Sequence, residues 1–298
     1  MHYDVIVVGA SFAGASAAMQ LARARRKILL IDAGSPRNRY AEASHGFLGQ
    51  DGTPPHEIMA IAVQQLMAYP NFELAVAYAE HAAADAQGVS VTVEGGRRFQ
   101  ARRLILATGV RDELPPIPGL QERWGKTAIH CPYCHGYEVR DRKLGVIATT
   151  PLSAHQGIML PDWGPTTYFT QGQFEPEEAE LRQMQKRGTA IERTPVVEIL
   201  GEAPEIEAVR LADGRALELG AVFVGPRVHM SSPLAMQLGC AFEQGAMGPY
   251  IRTDEMRQTS VPNVLAAGDA AMAFHNGTMA SASGVMAGVS AHRSLIME

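Results

Sequence analysis

An α/β fold is predicted, built as two three-layer domains with the second inserted into the first. Three observations predict it. The apolar run YDVIVVG (residues 3–9) enters a small-residue turn, GASFAG, then an alanine-rich helix and a second apolar strand ending at Asp32. A further apolar strand near the C-terminus, in SVPNVLAAGDAAM, closes on Gly268 and Asp269. Between them, residues 114–227 carry strands and helices of their own. A chain of 298 residues suits roughly two domains of ordinary size.

Each element follows from its pattern. A continuous apolar strand such as residues 3–9 suits a parallel sheet buried on both faces. The helix ASAAMQLARARR follows, then the strand KILLIDAG. Residues 35–56 read as a loop rich in Gly, Pro and polar residues, a length that signals function in a compact domain. A helix is expected from Pro55 to Met67. The stretches Phe72 to Ala84 and Val89 to Val93, with a Gly95-Gly96 turn, read as a small antiparallel sheet. The strand RRLILATG closes at Gly109. Pro115, Pro116 and Pro118 continue neither a helix nor a central strand, so VRDELPPIPG is the linker into the second domain. That domain holds HCPYCHGYE, the strand KLGVIAT, a helix near Ser153 to Leu160, the strand TTYFTQ, the helix PEEAELRQMQKRG and strands from Ala190 to Val224. A small-residue helix from about Thr278 to His292 ends the chain. The expected domains are residues 1–113 with 228–298, and residues 114–227. No internal repeat or low-complexity tract is visible.

Composition excludes several classes. A net charge of −5 gives no basic face for a nucleic acid. The short basic clusters Arg23 to Lys27 and Arg97/Arg98 read as solvated positions. No run of 18 apolar residues suggests a membrane span, and MHYDVIVVGA enters a strand directly rather than a signal peptide. Three cysteines are too few for a disulfide framework. A local CxxC with one distant thiol fits a cytosolic catalytic pair, so cytoplasm is the expected location. Cys240, within LAMQLGCAF, reads as a buried small hydrophobe.

The residues that carry chemistry fall into two sets. Gly9, Ser11 and Gly14 hold the places of a dinucleotide fingerprint, in the strand–turn–helix–strand context that it requires. Gly9 allows the tight turn and Gly14 the close helix–strand packing. Ser11 replaces the middle glycine and can offer its hydroxyl to phosphate. The helix start supplies free N–H groups for the pyrophosphate, with Phe12 and Ala13 inside the turn. Asp32, 23 residues after Gly9, stands where an acid binds a ribose hydroxyl. Ala33 and Arg39 beyond it, Thr108 and Gly109 at the end of RLILATG, Gly268 and Asp269 in LAAGDAA, and Thr278 and Met279 at the last helix complete a Rossmann-like set for FAD. Asp269 also suits a helix N-cap. The second set is Cys131-Pro-Tyr-Cys134. Two cysteines at this spacing close a reducible disulfide, and a helix start lowers the thiol pKa. His130, Cys131, Cys134 and His135 could alternatively hold zinc, but sequence neighbours rarely chelate one tetrahedral ion together and no second CxxC exists. No metal is expected. His135 can exchange protons during thiol–disulfide chemistry. His275 follows Asp269 closely and is a second candidate for proton transfer. His45, in the long loop, is a candidate flavin contact.

Together GASFAG, LILATG with PPIPG, CxxC and SVPNVLAAGD, in this order, resemble the low-molecular-weight thioredoxin reductase family over nearly the whole chain. The resemblance implies an FAD domain made from the first and last segments, an inserted NADPH domain carrying CxxC, and a homodimer. The inserted domain departs from that pattern. KLGVIA is followed by TTPLSAHQGI, which contains no G-x-G-x-x-A, and TTYFT by acidic QGQFEPEE. A ribose phosphate there would meet Glu175, Glu177 and Glu178, where like charges oppose it. The expected nicotinamide site is degenerate. His135 stands where the reductases place an aspartate. CPYCHGYE more closely resembles the thioredoxin-reductase-like dithiol oxidases that close disulfides in small molecules such as gliotoxin or holomycin. This resemblance implies that Cys134 is the flavin-side sulfur, that Cys131 exchanges with a small dithiol, and that dioxygen takes the electrons. The competing expectations are a disulfide reductase for a thioredoxin-like partner, fed by ferredoxin or by NAD(P)H, and a non-enzymatic flavin redox sensor.

Overall fold

A computed structural model describes residues 2–297. In chain order the elements are β1 (His2–Val8), α1 (Phe12–Arg23), β2 (Ile28–Asp32), α2 (Pro55–Met67), β3 (Phe72–Val76), β4 (Ala79–Asp85), β5 (Gly88–Val93), β6 (Arg98–Leu106) and β7 (Val110–Glu113). Then come β8 (Ala128–Ile129), α3 (Pro132–His135), β9 (Leu144–Ile147), α4 (Ser153–Met159), β10 (Thr166–Phe169), α5 (Glu178–Lys186), β11 (Ala190–Glu192), β12 (Val196–Leu200), β13 (Ala208–Leu211), β14 (Ala216–Glu218) and β15 (Ala221–Val224). The last are β16 (Arg227–Met230), α6 (Leu234–Gln237), β17 (Phe242–Gln244), β18 (Pro249–Ile251), β19 (Val264–Ala266) and α7 (Gly277–Ile296).

Two compact units result, one of residues 1–39, 55–111 and 228–298, the other of residues 40–54 and 112–227. The chain joints at 111/112 and 227/228 fall inside β7 and β16. Residues 40–54, expected with the first domain, pack with the second unit. Loop composition carries no information about which core a loop will cover.

The first unit is built on the sheet β3-β2-β1-β6-β5-β4, with β19 beside β6. β1, β2, β3, β6 and β19 run parallel, with Val5 opposite Ile28 and Arg103. β4 and β5 add an antiparallel ribbon on the first half of β6. β3 therefore lies in the parallel sheet, not in the small antiparallel sheet expected for residues 72–84. The helix α2 before it makes a crossover, which returns the chain parallel to β2. One face of the sheet packs Val5, Val7, Leu30 and Ile105 against α1 and α7, and the other packs Ile6, Leu29, Leu104 and Val264 into a second core. Two glycines bring α7 onto α1. A Cβ on Gly284 would overlap the Ala13 carbonyl, and one on Gly288 would lie 2.6 Å from the Ala17 carbonyl.

The second unit has its own parallel sheet, β11-β10-β9-β15-β8, and an antiparallel sheet, β12-β13-β14. Its two apolar clusters contain Ile147, Phe169 and Val222 on one side and Val146, Tyr168 and Phe223 on the other. Such two-sided burial explains why β9 and β15 are continuous apolar runs. The mixed α/β class with two Rossmann-type layers is thus observed.

Candidate active site

In the first unit the fingerprint residues form a tight turn. Gly9 has φ +101°, and a Cβ there would overlap the Ala107 carbonyl. A Cβ on Gly14 would overlap the Gly9 carbonyl, so both positions require glycine. Ser11 is the N-cap of α1 and makes no side-chain cap bond. The Ser11 hydroxyl therefore does not cap the helix start, where backbone donors favour an anion. Asp32 holds the turn in place: Oδ1 accepts from the Ala10 N–H at 2.8 Å and Oδ2 from the Gly34 N–H at 2.9 Å. Gly268 has φ +71°, and its N–H donates to Ser283 Oγ at 3.1 Å. A Cβ on Gly268 would lie 2.8 Å from Ala13 Cβ, so the two ends of the chain meet at this turn. A dinucleotide pyrophosphate fits this cradle, since backbone donors and absent side chains are what it needs.

The other expected contacts take varied places. Phe12 packs against the α1 core, while Thr108 and Gly109 follow β6 half-buried beside the turn. Ala33 and Arg39 are exposed, and Arg39 Nη1 donates to the Pro36 carbonyl at 2.9 Å. The N–H groups of Thr278 (2.9 Å) and Met279 (3.3 Å) donate to Asn276 Oδ1, which caps α7. Asp269 Oδ2 lies 2.9 Å from Arg37 Nη1, a residue that the sequence reading missed. The same Nη1 lies 2.7 Å from His275 Nδ1.

In the second unit Cys131 and Cys134 are joined as a disulfide with Cα atoms 5.3 Å apart. Cys131 is the N-cap of α3 and Pro132 its first residue, a favoured proline position. A Cβ on Gly136 would lie 2.9 Å from Trp163 Nε1, so α3 sits directly against that ring. Gln156 of α4 donates from Nε2 to the His130 carbonyl at 2.8 Å, fixing the chain just before Cys131. The spacing in sequence gave no sign of that contact.

His135 leaves α3 into a histidine and carboxylate cluster. Burial first, then His45, pull its pKa below 6.5, against Glu138 and a hydrogen bond to the Ala43 carbonyl. Its Nε2 is buried with no hydrogen-bond partner among the described residues. His45 stands edge-on to it, with ring centroids 5.9 Å apart. His45 Nδ1 faces Asp51 Oδ1 at 3.6 Å and Nε2 faces Glu138 Oε1 at 3.5 Å. The structure thus places His45 in the unit of the disulfide, whereas the fingerprint residues belong to the other unit. Among the described residues, no group of three His, Cys, Asp or Glu side chains could hold a metal ion.

The crossover after β9 is where a second nucleotide turn would lie. Here the N–H groups of Thr149 and Thr150 donate to Ser153 Oγ at 3.1 and 3.3 Å. Beyond β10, Glu175 pairs with Arg193 and Glu177 forms a capping box with Glu180. Ser153 thus bonds two backbone donors of this crossover.

A family profile described as pyridine nucleotide-disulphide oxidoreductase matches residues 3–147 and 172–290. The chain belongs to this family. The match breaks over residues 148–171, which contain the crossover filled by Ser153. Thioredoxin reductase sirT of Leptosphaeria maculans is 31% identical over 96% of this chain and 92% of its own. The solved oxidoreductase from Agrobacterium tumefaciens is 47% identical, with a TM-score of 0.95 over 100% of this chain and 99% of that one. The structure of HlmI is 34% identical, with a TM-score of 0.92 over 99% and 93%. As a thioredoxin reductase-like member of this family, the chain is a thiol–disulfide oxidoreductase, and Cys131 and Cys134 form a disulfide in it. No helix among the described residues is long and apolar enough to cross a membrane.

Proposed function

We propose that the protein is an FAD-dependent dithiol oxidase that closes disulfides in small dithiols, with dioxygen as the final acceptor. The carrying observation is the crossover after β9, whose amides are capped by Ser153. An enzyme that cannot take a hydride from NADPH must receive its electrons from another donor, and a substrate dithiol is a donor the CxxC pair can accept directly.

A substrate thiolate attacks the Cys131 sulfur, and Cys134 leaves as a thiolate. The second substrate thiol then attacks the mixed disulfide, forming the product disulfide and releasing Cys131. Two electrons and two protons have passed from substrate to the cysteine pair. When bound, FAD supplies the two-electron oxidant that restores the disulfide, and dioxygen leaves as hydrogen peroxide. His135 accepts the incoming thiol proton: its lowered pKa keeps it a neutral base, and its Nε2 has no partner among the described residues to displace. The N–H groups at the start of α1 hold the pyrophosphate, and Asp32 keeps that turn rigid. A cytoplasmic homodimer belongs to the same reading. Light scattering then gives about twice the 32.1 kDa of one chain.

The test is oxygen uptake with a small dithiol. One dioxygen should be consumed and one hydrogen peroxide formed for each disulfide closed. No uptake, together with dithiol formation on addition of reduced ferredoxin, would replace this reading with a ferredoxin-fed reductase.

A further inference from the structure

Arg37 stands where the two halves of the dinucleotide cradle meet, on the short helical turn after β2. Its Nη1 carries two hydrogens, and two acceptors lie within reach: Asp269 Oδ2 at 2.9 Å and His275 Nδ1 at 2.7 Å. The side chains of Arg37 and Asp269 are only 19% and 21% exposed, so the ion pair is largely withdrawn from water. A guanidinium cannot accept a hydrogen bond, so His275 Nδ1 must accept, and the ring proton lies on Nε2. Nε2 in turn donates to the Met272 carbonyl at 3.1 Å. Both nitrogens of His275 are therefore committed, and the ring cannot pick up a proton at Nδ1 without facing the guanidinium.

We propose that Arg37 is a positioning residue for the FAD site, fixing Asp269 and His275 together and with them residues 269–276 leading into α7. The inference rests on the FAD reading above and moves His275 from proton transfer to a structural part. The segment has three anchors. Ser283 holds the Gly268 N–H at one end, and Asn276 caps α7 at the other. Arg37 holds the middle, and it alone brings charge. Removing it leaves the Asp269 carboxylate without its cation, a costly state in a part-buried place. Cofactor affinity then falls because Asp269 no longer presents a fixed carboxylate.

Two readouts test this without turnover, so both survive failure of the oxidase reading. Nitrogen-15 NMR of the yellow wild-type protein should show His275 protonated on Nε2 and bare on Nδ1. The dissociation constant of FAD, followed by its fluorescence, should rise at least about tenfold in Arg37→Met. Arg37→Lys, which keeps a cation and its donors, should return affinity to within about threefold of wild type. Wild-type FAD affinity in a folded Arg37→Met protein overturns the proposal. So does a wild-type His275 with its proton on Nδ1, whatever the variants do.

Discussion

His135 gives one nitrogen to the Ala43 carbonyl and leaves the other buried without a partner among the described residues. In the proposed mechanism that combination lets His135 accept the substrate's thiol proton. Its pKa lies below the ordinary 6.5, so the base form persists as pH falls to neutrality and is lost only below that value. The acid limb of kcat/KM for dithiol oxidation should therefore have its midpoint below 6.5. His135→Gln should flatten this limb and lower kcat/KM by roughly 10²-fold or more, as loss of a general base does. An acid limb unchanged in the variant would assign the proton to another group. Cys134→Ser should abolish turnover while the purified protein stays yellow. His135 was legible in the sequence because it adjoins the CxxC. Arg37, Gln156 and Glu138 were not assigned roles, because each acts on a partner brought close only by the fold.

At the scale of elements, the packing of α7 on α1 links cofactor turn and core. Gly284→Ala would drive a methyl group into the Ala13 carbonyl, the residue beside Gly14 in the pyrophosphate turn. We expect a loss of about 1–3 kcal/mol in denaturant unfolding, with weaker FAD retention. A neutral effect on both would mean that the helices can part without cost. The filled crossover makes a separate prediction. Ser153→Ala removes the acceptor for the Thr149 and Thr150 N–H groups and should cost about 0.5–1.5 kcal/mol. Added NADPH should not restore that loss, whereas a rise in the unfolding midpoint with NADPH would show a nucleotide site. Most elements were legible from periodicity: α2 over Pro55–Met67 and the apolar strands β1, β2, β9 and β15 needed no tertiary information. The strand β3 was placed in the wrong sheet, because a five-residue alternating pattern does not distinguish parallel from antiparallel pairing. The loop 40–54 gave no signal of the unit it joins.

For the whole molecule the account turns on the source of electrons. The first unit keeps the fingerprint glycines Gly9 and Gly14, with Ser11 in the middle place, whereas in the second unit Ser153 bonds two amides of the crossover after β9. The absence of G-x-G-x-x-A after KLGVIA was readable directly, since a motif that needs glycines cannot form without them. What filled the gap, Ser153 on two amides, required coordinates. The deciding measurement is anaerobic stopped-flow absorbance of the FAD-loaded protein, mixed separately with excess small dithiol and with NADPH. The account predicts bleaching of the flavin by the dithiol and none by NADPH. Rapid bleaching by NADPH, with none by the dithiol, would contradict it.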